Sequence, residues 1–181
     1  MTGRTVVIVL AALLATSCGG APSAAPVVGA STTSAAAVLP SDEVGRTHGA
    51  ALALIALGEL GTEQGSTQAL RSLATRTAGD GRALDDQIRE LATANELVLV
   101  DDVDAGTQGV LADLQGRGGR DFDQAWLRAV TVVVGQGRDA AGGLRSGPGE
   151  ARSVATNVLA RLAALSNALR NAATRAGTPT H

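Results

Sequence analysis

Few side chains in this chain are equipped for chemistry. Its thiols and imidazoles come down to Cys18, His48 and His181. His48 falls near the start of a predicted helix, with Glu43 and Glu59 too far along it to share a ligand site locally. It therefore reads as a structural or surface residue, and His181 as part of a frayed terminus. Glu59 and Glu63 stand at i and i+4 and share a helix face. That spacing permits paired carboxylates, but with no histidine beside them they read as a solvated face. Asp85, Asp86 and Glu90 flank Arg82 and Arg89 in the pattern of an exposed helix. The run Asp101, Asp102, Asp104, Gly106 invites a calcium-loop reading and fails it. Counted from Asp101, the third position is Val103 and the twelfth is Ala112, where oxygen ligands are needed. At most a weak, exposed cation site is left. No Gly-x-Ser-x-Gly occurs, and serine and threonine hydroxyls lack an evident base. Gly135, Gly137, Gly142 and Gly143 lie inside a helical pattern, so no phosphate-cradling loop is implied. They are expected to let helices approach closely or to loosen the last turns. These residues predict no catalytic constellation, no metal and no cofactor.

Cys18 is the exception, because its surroundings name a reaction. A short start carrying Arg4 precedes an apolar run of about ten residues, then small residues up to Ser17, the pattern of a secretory signal. The run is too short to span a bilayer core of roughly 30 Å as a helix. The stretch Leu14, Ala15, Thr16, Ser17, Cys18 resembles the lipobox of bacterial lipoproteins, although Ala15 and Thr16 are less usual fillers. The resemblance implies cleavage between Ser17 and Cys18 and a thioether from Cys18 to diacylglycerol, with amine acylation afterwards. It also implies attachment to the extracytoplasmic face of the cell membrane, with partial release into the medium as a further outcome. The plainer alternative is a secreted protein with an incidental cysteine.

The elements behind Cys18 must form without disulfides, since no second cysteine exists. From Gly19 to Pro40 the composition is small, polar or proline and uncharged, which reads as a flexible tether with a reach of roughly 25 Å. The expected division is signal peptide 1–17, lipidated cysteine and linker 18–40, domain 41–176 and disordered tail 177–181. About 160 residues after the leader are enough for one domain with a core. Hydrophobic residues make up 45% of the chain, yet the only aromatic rings of the benzenoid and indole kind are Phe122 and Trp126. An Ala, Leu and Val core suits closely packed helices better than a β-sandwich. Every basic residue is arginine, and with the Ala and Gly excess this is the coding bias expected of a high-GC bacterium such as an actinobacterium. The net charge of −2 gives no basic stripe, so nucleic acid is excluded as a partner.

Periodicity predicts an all-α fold. A first helix runs from a Ser41, Asp42, Glu43 start to about Gln64, with Leu52, Ile55, Ala56 and Leu60 inward. A second, capped by Ser66, carries Leu70, Leu73, Thr77, Gly81, Leu84, Ile88 and Leu91, with Thr77 to Gly81 as its weakest stretch. Residues 95–106 are irregular. A short helix over about 105–116 turns Val110, Leu111 and Leu114 inward. A long one from about Asp121 presents Phe122, Trp126, Ala129, Val133, Ala140 and Leu144. The last, over about 149–175, carries Val154, Val158, Leu162, Leu165 and Leu169. The structural core is expected around Phe122, Trp126, Leu84, Ile88, Leu162 and Leu165. Trp126 reads as a core anchor, with a small apolar pocket between helices as the alternative. Four long helices, one short helix and short turns make a bundle.

Leu57 to Leu60, the Ala74 to Ile88 stretch, Leu111 to Leu114 and above all Gly119 to Trp126 resemble the DUF4142 family of exported bacterial proteins, many of them lipoproteins. The resemblance covers roughly residues 44–173 and implies a ferritin-like four-helix bundle with one extra short helix between the second and third long ones. Ferritin-like bundles bind metals through inward Glu and Glu-x-x-His groups, and this chain has no Glu-x-x-His. Where family members carry an acidic residue, a histidine after aspartate and a second histidine, this chain has Leu54, Gly81 (in Asp80-Gly81) and Val134. The implied function is a lipid-anchored, non-catalytic binding or structural protein of the cell envelope, its partner an envelope protein or polymer. The alternatives are a ferritin-like metal or redox protein and a carrier of a small apolar ligand.

Overall fold

The computed structural model describes residues 38–177. The expectations for the leader, Ser17, Cys18, most of the linker and His181 lie outside the described residues. Five α-helices follow one another: α1 (Ser41–Gln64), α2 (Gln68–Ala94), α3 (Ala105–Gln115), α4 (Gly119–Gly143) and α5 (Gly149–Gly177), with a single 3-10 turn, Leu144–Ser146, between the last two. No strand occurs among the described residues, so the fold is all-α. The long helices form a ring in which α1 packs on α2 and α4, and α5 packs on the same two from the other side. The short α3 rests against α1 and α4.

The core is aliphatic around two rings. Phe122 and Trp126 are fully buried, in company with Leu84, Ile88, Leu162 and Leu165. Small residues set the spacing. A Cβ on Gly58 would fall 2.4 Å from the Ala78 backbone nitrogen, and one on Gly61 would fall 2.5 Å from Trp126 Nε1. The first contact lets α1 and α2 run backbone to backbone, and the second seats the indole of α4 against α1, the close approach that an Ala-rich and Gly-rich sequence permits. The inward face of α1 therefore differs from the expected one. Leu52, Ile55 and Ala56 are only half-buried, whereas Leu54, Leu57, Gly58 and Gly61 are buried. Because α1 is apolar nearly all round, its leucines alone do not mark the face, and the glycines that do mark it carry no hydropathy signal.

Two local expectations, the N-cap of α2 and the inward face of α3, are also corrected. Helix α2 is continuous through Thr77 to Gly81, because Thr77 Oγ1 donates to Leu73 O (2.9 Å) and Gly81 seats against α1. Its N-cap is Thr67, whose hydroxyl accepts from Leu70 N; Ser66 instead donates through backbone and hydroxyl to the Asp123 carboxylate of α4. In α3 only Leu114 is buried, and Val110 is exposed. The last turn of α2 closes in a Schellman arrangement, with Leu97 N bonded to Ala92 O (2.9 Å) and Glu96 N to Thr93 O (3.3 Å). Its left-handed position, usually glycine, is held by Glu96 at φ 56°.

Candidate functional site

One cluster of ionisable groups reaches below the surface. His48 follows Val44 and precedes Ala51 on the inward face of α1, so its ring is carried into the interface with α2. The side chain is 2% exposed. Its Nδ1 stands 2.7 Å from Asp85 Oδ1 of α2, and its Nε2 stands 3.5 Å from Asp101 Oδ1 of the segment after α2. Neither nitrogen has an aligned hydrogen bond, so both contacts are electrostatic approaches. Arg89, one turn beyond Asp85, completes the cluster: its Nε donates to Asp85 Oδ2 (2.7 Å) and its Nη2 to Asp101 Oδ1 (2.6 Å). Hydrogen bonding by Asp85 first, then by Asp101, raises the Arg89 pKa further above its ordinary range. The same guanidinium holds Asp101 below the usual carboxylate range.

The cluster corrects two expectations. His48 is not isolated, and Asp85 is not part of a solvated face: its side chain is 13% exposed. Asp86 and Glu90 are exposed. Glu59 and Glu63 are exposed too, and Glu59 pairs with Arg82 of α2 at 2.6 Å. The acidic run is divided between different tasks. Asp101 faces Arg89 and His48, while Asp104 caps α3, accepting from Thr107 N (3.1 Å) and Thr107 Oγ1 (2.6 Å). Those two bonds hold the Asp104 pKa below its ordinary value. Among the described residues, no three His, Cys, Asp or Glu side chains are grouped as metal ligands.

Beside His48 lies a groove of about 480 Å³. One wall is the first two turns of α1, with Ser41, Gly45, His48 and Gly49; the other is the segment Leu97–Val100, with Asp102 and Asp104 at its end. That segment alternates: Leu97 and Leu99 pack against the core, while Val98 is 94% and Val100 71% exposed. A second groove, of about 550 Å³, runs between α2, α4 and α5 and includes Leu70, Leu73, Leu127 and Arg120.

The positions singled out by resemblance are interior. Leu54 and Val134 are buried hydrocarbon. Gly81 is buried where a Cβ would stand 2.9 Å from Ile55 Cγ1 and 3.0 Å from Ala51 O. Its neighbour Asp80 turns to α5, accepting from Arg161 Nη1 at 2.9 Å. The family model for a domain of unknown function, DUF4142, matches residues 28–164. This chain belongs to the DUF4142 family. No curated protein and no solved structure is matched by the chain. The DUF4142 match spans both walls of the His48 groove and the Asp123 and Trp126 run of α4. Sequence reasoning missed the His48 and Asp85 pairing because it needs the relative register of two helices. The available signal was the spacing of His48 from Val44 and Ala51, which puts it on an apolar face.

Proposed function

We propose that this DUF4142 chain is a lipid-anchored protein of the cell envelope whose ferritin-like four-helix bundle serves as a non-catalytic binding or structural module. The observation that carries this reading is the closure of α1 on α2 at Gly81. A side chain there would meet Ile55 and the α1 backbone within 3.0 Å, so no imidazole fits where the family pattern would put one. Leu54 and Val134 add hydrocarbon at the other two positions. This donor set offers nothing to a transition metal, which binds through imidazole, carboxylate or thiolate. The leader and Cys18 support the envelope location, and no described helix is long and apolar enough to cross a membrane. The fold by itself assigns no activity, and we assign recognition to the groove beside His48.

Metal analysis of the purified full chain tests the reading against a metal or redox role. Iron, manganese or zinc bound stoichiometrically after dialysis would overturn it. Cross-linking in intact cells, followed by identification of neighbours, is expected to recover a specific envelope partner that is lost when the groove is filled by Gly49→Leu.

A further inference from the structure

The segment that walls the groove is fixed at its ends and held between them by side chains. Its start is set by the α2 terminus, where Leu97 N bonds to Ala92 O, and its end by Asp104, which caps α3. Between them Leu97 and Leu99 pack against the core, and Gln108 Nε2 donates to Val103 O at 2.7 Å. Asp101, in the middle of the segment, is held by Arg89 and faces His48. From this arrangement we infer that His48 is a pH-sensitive latch: its imidazolium holds Asp101, and with it the wall of the groove, against α1, and loss of the proton lets that wall draw away. The latch regulates the groove to which recognition is assigned above, and rests on that reading for its role alone.

The charge of the ring follows from its position. His48 is 2% exposed and lies between two carboxylates, with Nδ1 2.7 Å from Asp85 Oδ1 and Nε2 3.5 Å from Asp101 Oδ1. A neutral imidazole carries one N–H and one lone pair, so either tautomer turns a lone pair toward a carboxylate. Only the cation meets both with a proton. Neither approach is an aligned hydrogen bond, so the attraction is one of charge. From α2, Arg89 donates to Asp85 and to Asp101, and the protonated cluster therefore balances two cations against two carboxylates. Removing the imidazole proton leaves both carboxylates to a single guanidinium. The remaining charges on the elements around α1 have other partners or positions. Glu43 of α1 pairs with Arg46, Asp139 of α4 acts on Arg46, Asp113 of α3 pairs with Arg117, and Asp102 and Asp104 line the groove itself. Carboxylates ordinarily titrate at about 4 and guanidinium groups above about 12, and Arg89 holds Asp101 lower still. Between about pH 5 and about pH 9 the imidazole is thus the member of the cluster that changes charge. The latch is closed at the acid end of that range and is released as pH rises through the titration of His48. Far enough into acid to protonate Asp101, it opens again.

The test is a pH titration of the full chain from about pH 5 to about pH 9, followed by nuclear magnetic resonance. The ring nitrogens of His48 report its charge, and the nuclear Overhauser contacts of the Leu97 and Leu99 methyls with the core report the position of the wall. His48 is expected to carry a proton on both nitrogens at the acid end and to lose one as pH rises. The methyl contacts are expected to weaken severalfold with the same midpoint. His181 is the control, since its titration should move neither methyl. Asp101→Asn, at a side chain 67% exposed, is expected to leave His48 titrating while the methyl contacts no longer follow it. The latch would be overturned by a neutral His48 at the acid end, by a His48 still protonated at the alkaline end, by methyl contacts that stay constant while His48 titrates, or by contacts that still follow it in Asp101→Asn. If the latch fails while cross-linking still captures a partner that Gly49→Leu abolishes, the regulation is wrong and the binding module stands.

Discussion

The indole of Trp126 donates from Nε1 to the carbonyl oxygen of Leu57 at 2.7 Å, joining α4 to the middle of α1. The bond forms because Gly61, one turn beyond Leu57, leaves room for the ring; a Cβ there would overlap the indole. Trp126→Ala removes a fully buried ring and should cost about 3–5 kcal/mol. Trp126→Phe keeps much of the volume but strips Leu57 O of its donor, and should cost about 1–3 kcal/mol. Urea denaturation of the two variants measures both, and a Trp126→Phe variant as stable as the parent would mean that the hydrogen bond contributes nothing.

Glycines in the same fold should respond in opposite directions to alanine. Gly58→Ala drives a methyl into the Ala78 backbone, and overpacking of this kind should destabilise by about 1–3 kcal/mol. Gly79, in the middle of exposed α2 surface, has nothing within 4 Å of a Cβ. Gly79→Ala should therefore stabilise by about 0.5–1 kcal/mol through helix propensity alone. Thermal melts of the pair decide whether close helix approach or backbone freedom governs each position.

Glu96 occupies the left-handed position of the α2 terminus at φ 56°. Glu96→Gly should relieve that conformation and raise stability by about 1 kcal/mol. Calorimetric melting shows this as a higher midpoint, and an unchanged midpoint would argue that the Glu96 side chain makes up the difference.

Acid should loosen the segment around α3 first. Asp101, Asp104 and Asp113 all have pKa values lowered by hydrogen-bond donors: Arg89, Thr107 and Arg117 respectively. A carboxylate whose folded pKa lies below its unfolded value, about 3.9, contributes stability that is complete above that value. The contribution is lost as pH falls through the lowered folded pKa. Amide protection in residues 101–115, corrected for the slower intrinsic exchange in acid, should therefore fall below about pH 4, ahead of protection in α1 and α2. Salt should mute the effect, since these pairs are exposed.

Cys18→Ala tests the anchor. Without the thioether the protein should move from the membrane fraction to the soluble envelope fraction, or accumulate with its leader uncleaved. Fractionation and intact mass measure it; a variant that pellets and weighs like the parent minus the sulfur would remove the lipid from the account.

The legibility of the fold followed the chemistry of each helix. In α2 the apolar residues are separated by charged ones, and Leu70, Leu84, Ile88 and Leu91 are buried where their spacing put them. Between Gly49 and Gly61 of α1 every residue but Ile55 and Glu59 is Ala, Leu or Gly, so the pattern has almost no polar side to fix the rotation, and the expected face is turned away from Leu54 and Leu57. The His48 cluster was hidden for a different reason. Its members come from α1, α2 and the following segment, and an aspartate that meets a histidine across an interface looks, in one dimension, like one that meets water. Asp123 was similarly unreadable, because the partner of its carboxylate is the turn at Ser66.

The pairing of α1 with α2 also allows an order of assembly. Gly58 and Ala78 meet across a tight turn at Gly65, so the first two helices can zip together from neighbouring stretches of chain before α4 exists. A polypeptide emerging N-terminus first, from a ribosome or a translocation channel, would present this hairpin early, its indole slot at Gly61 vacant and its turn unclamped. Trp126 and Asp123 arrive later on a single turn of α4, one entering the slot and the other seizing Ser66. Completion of the domain is thereby coupled to one short stretch of α4, which acts as a bolt thrown after the first two staves have met.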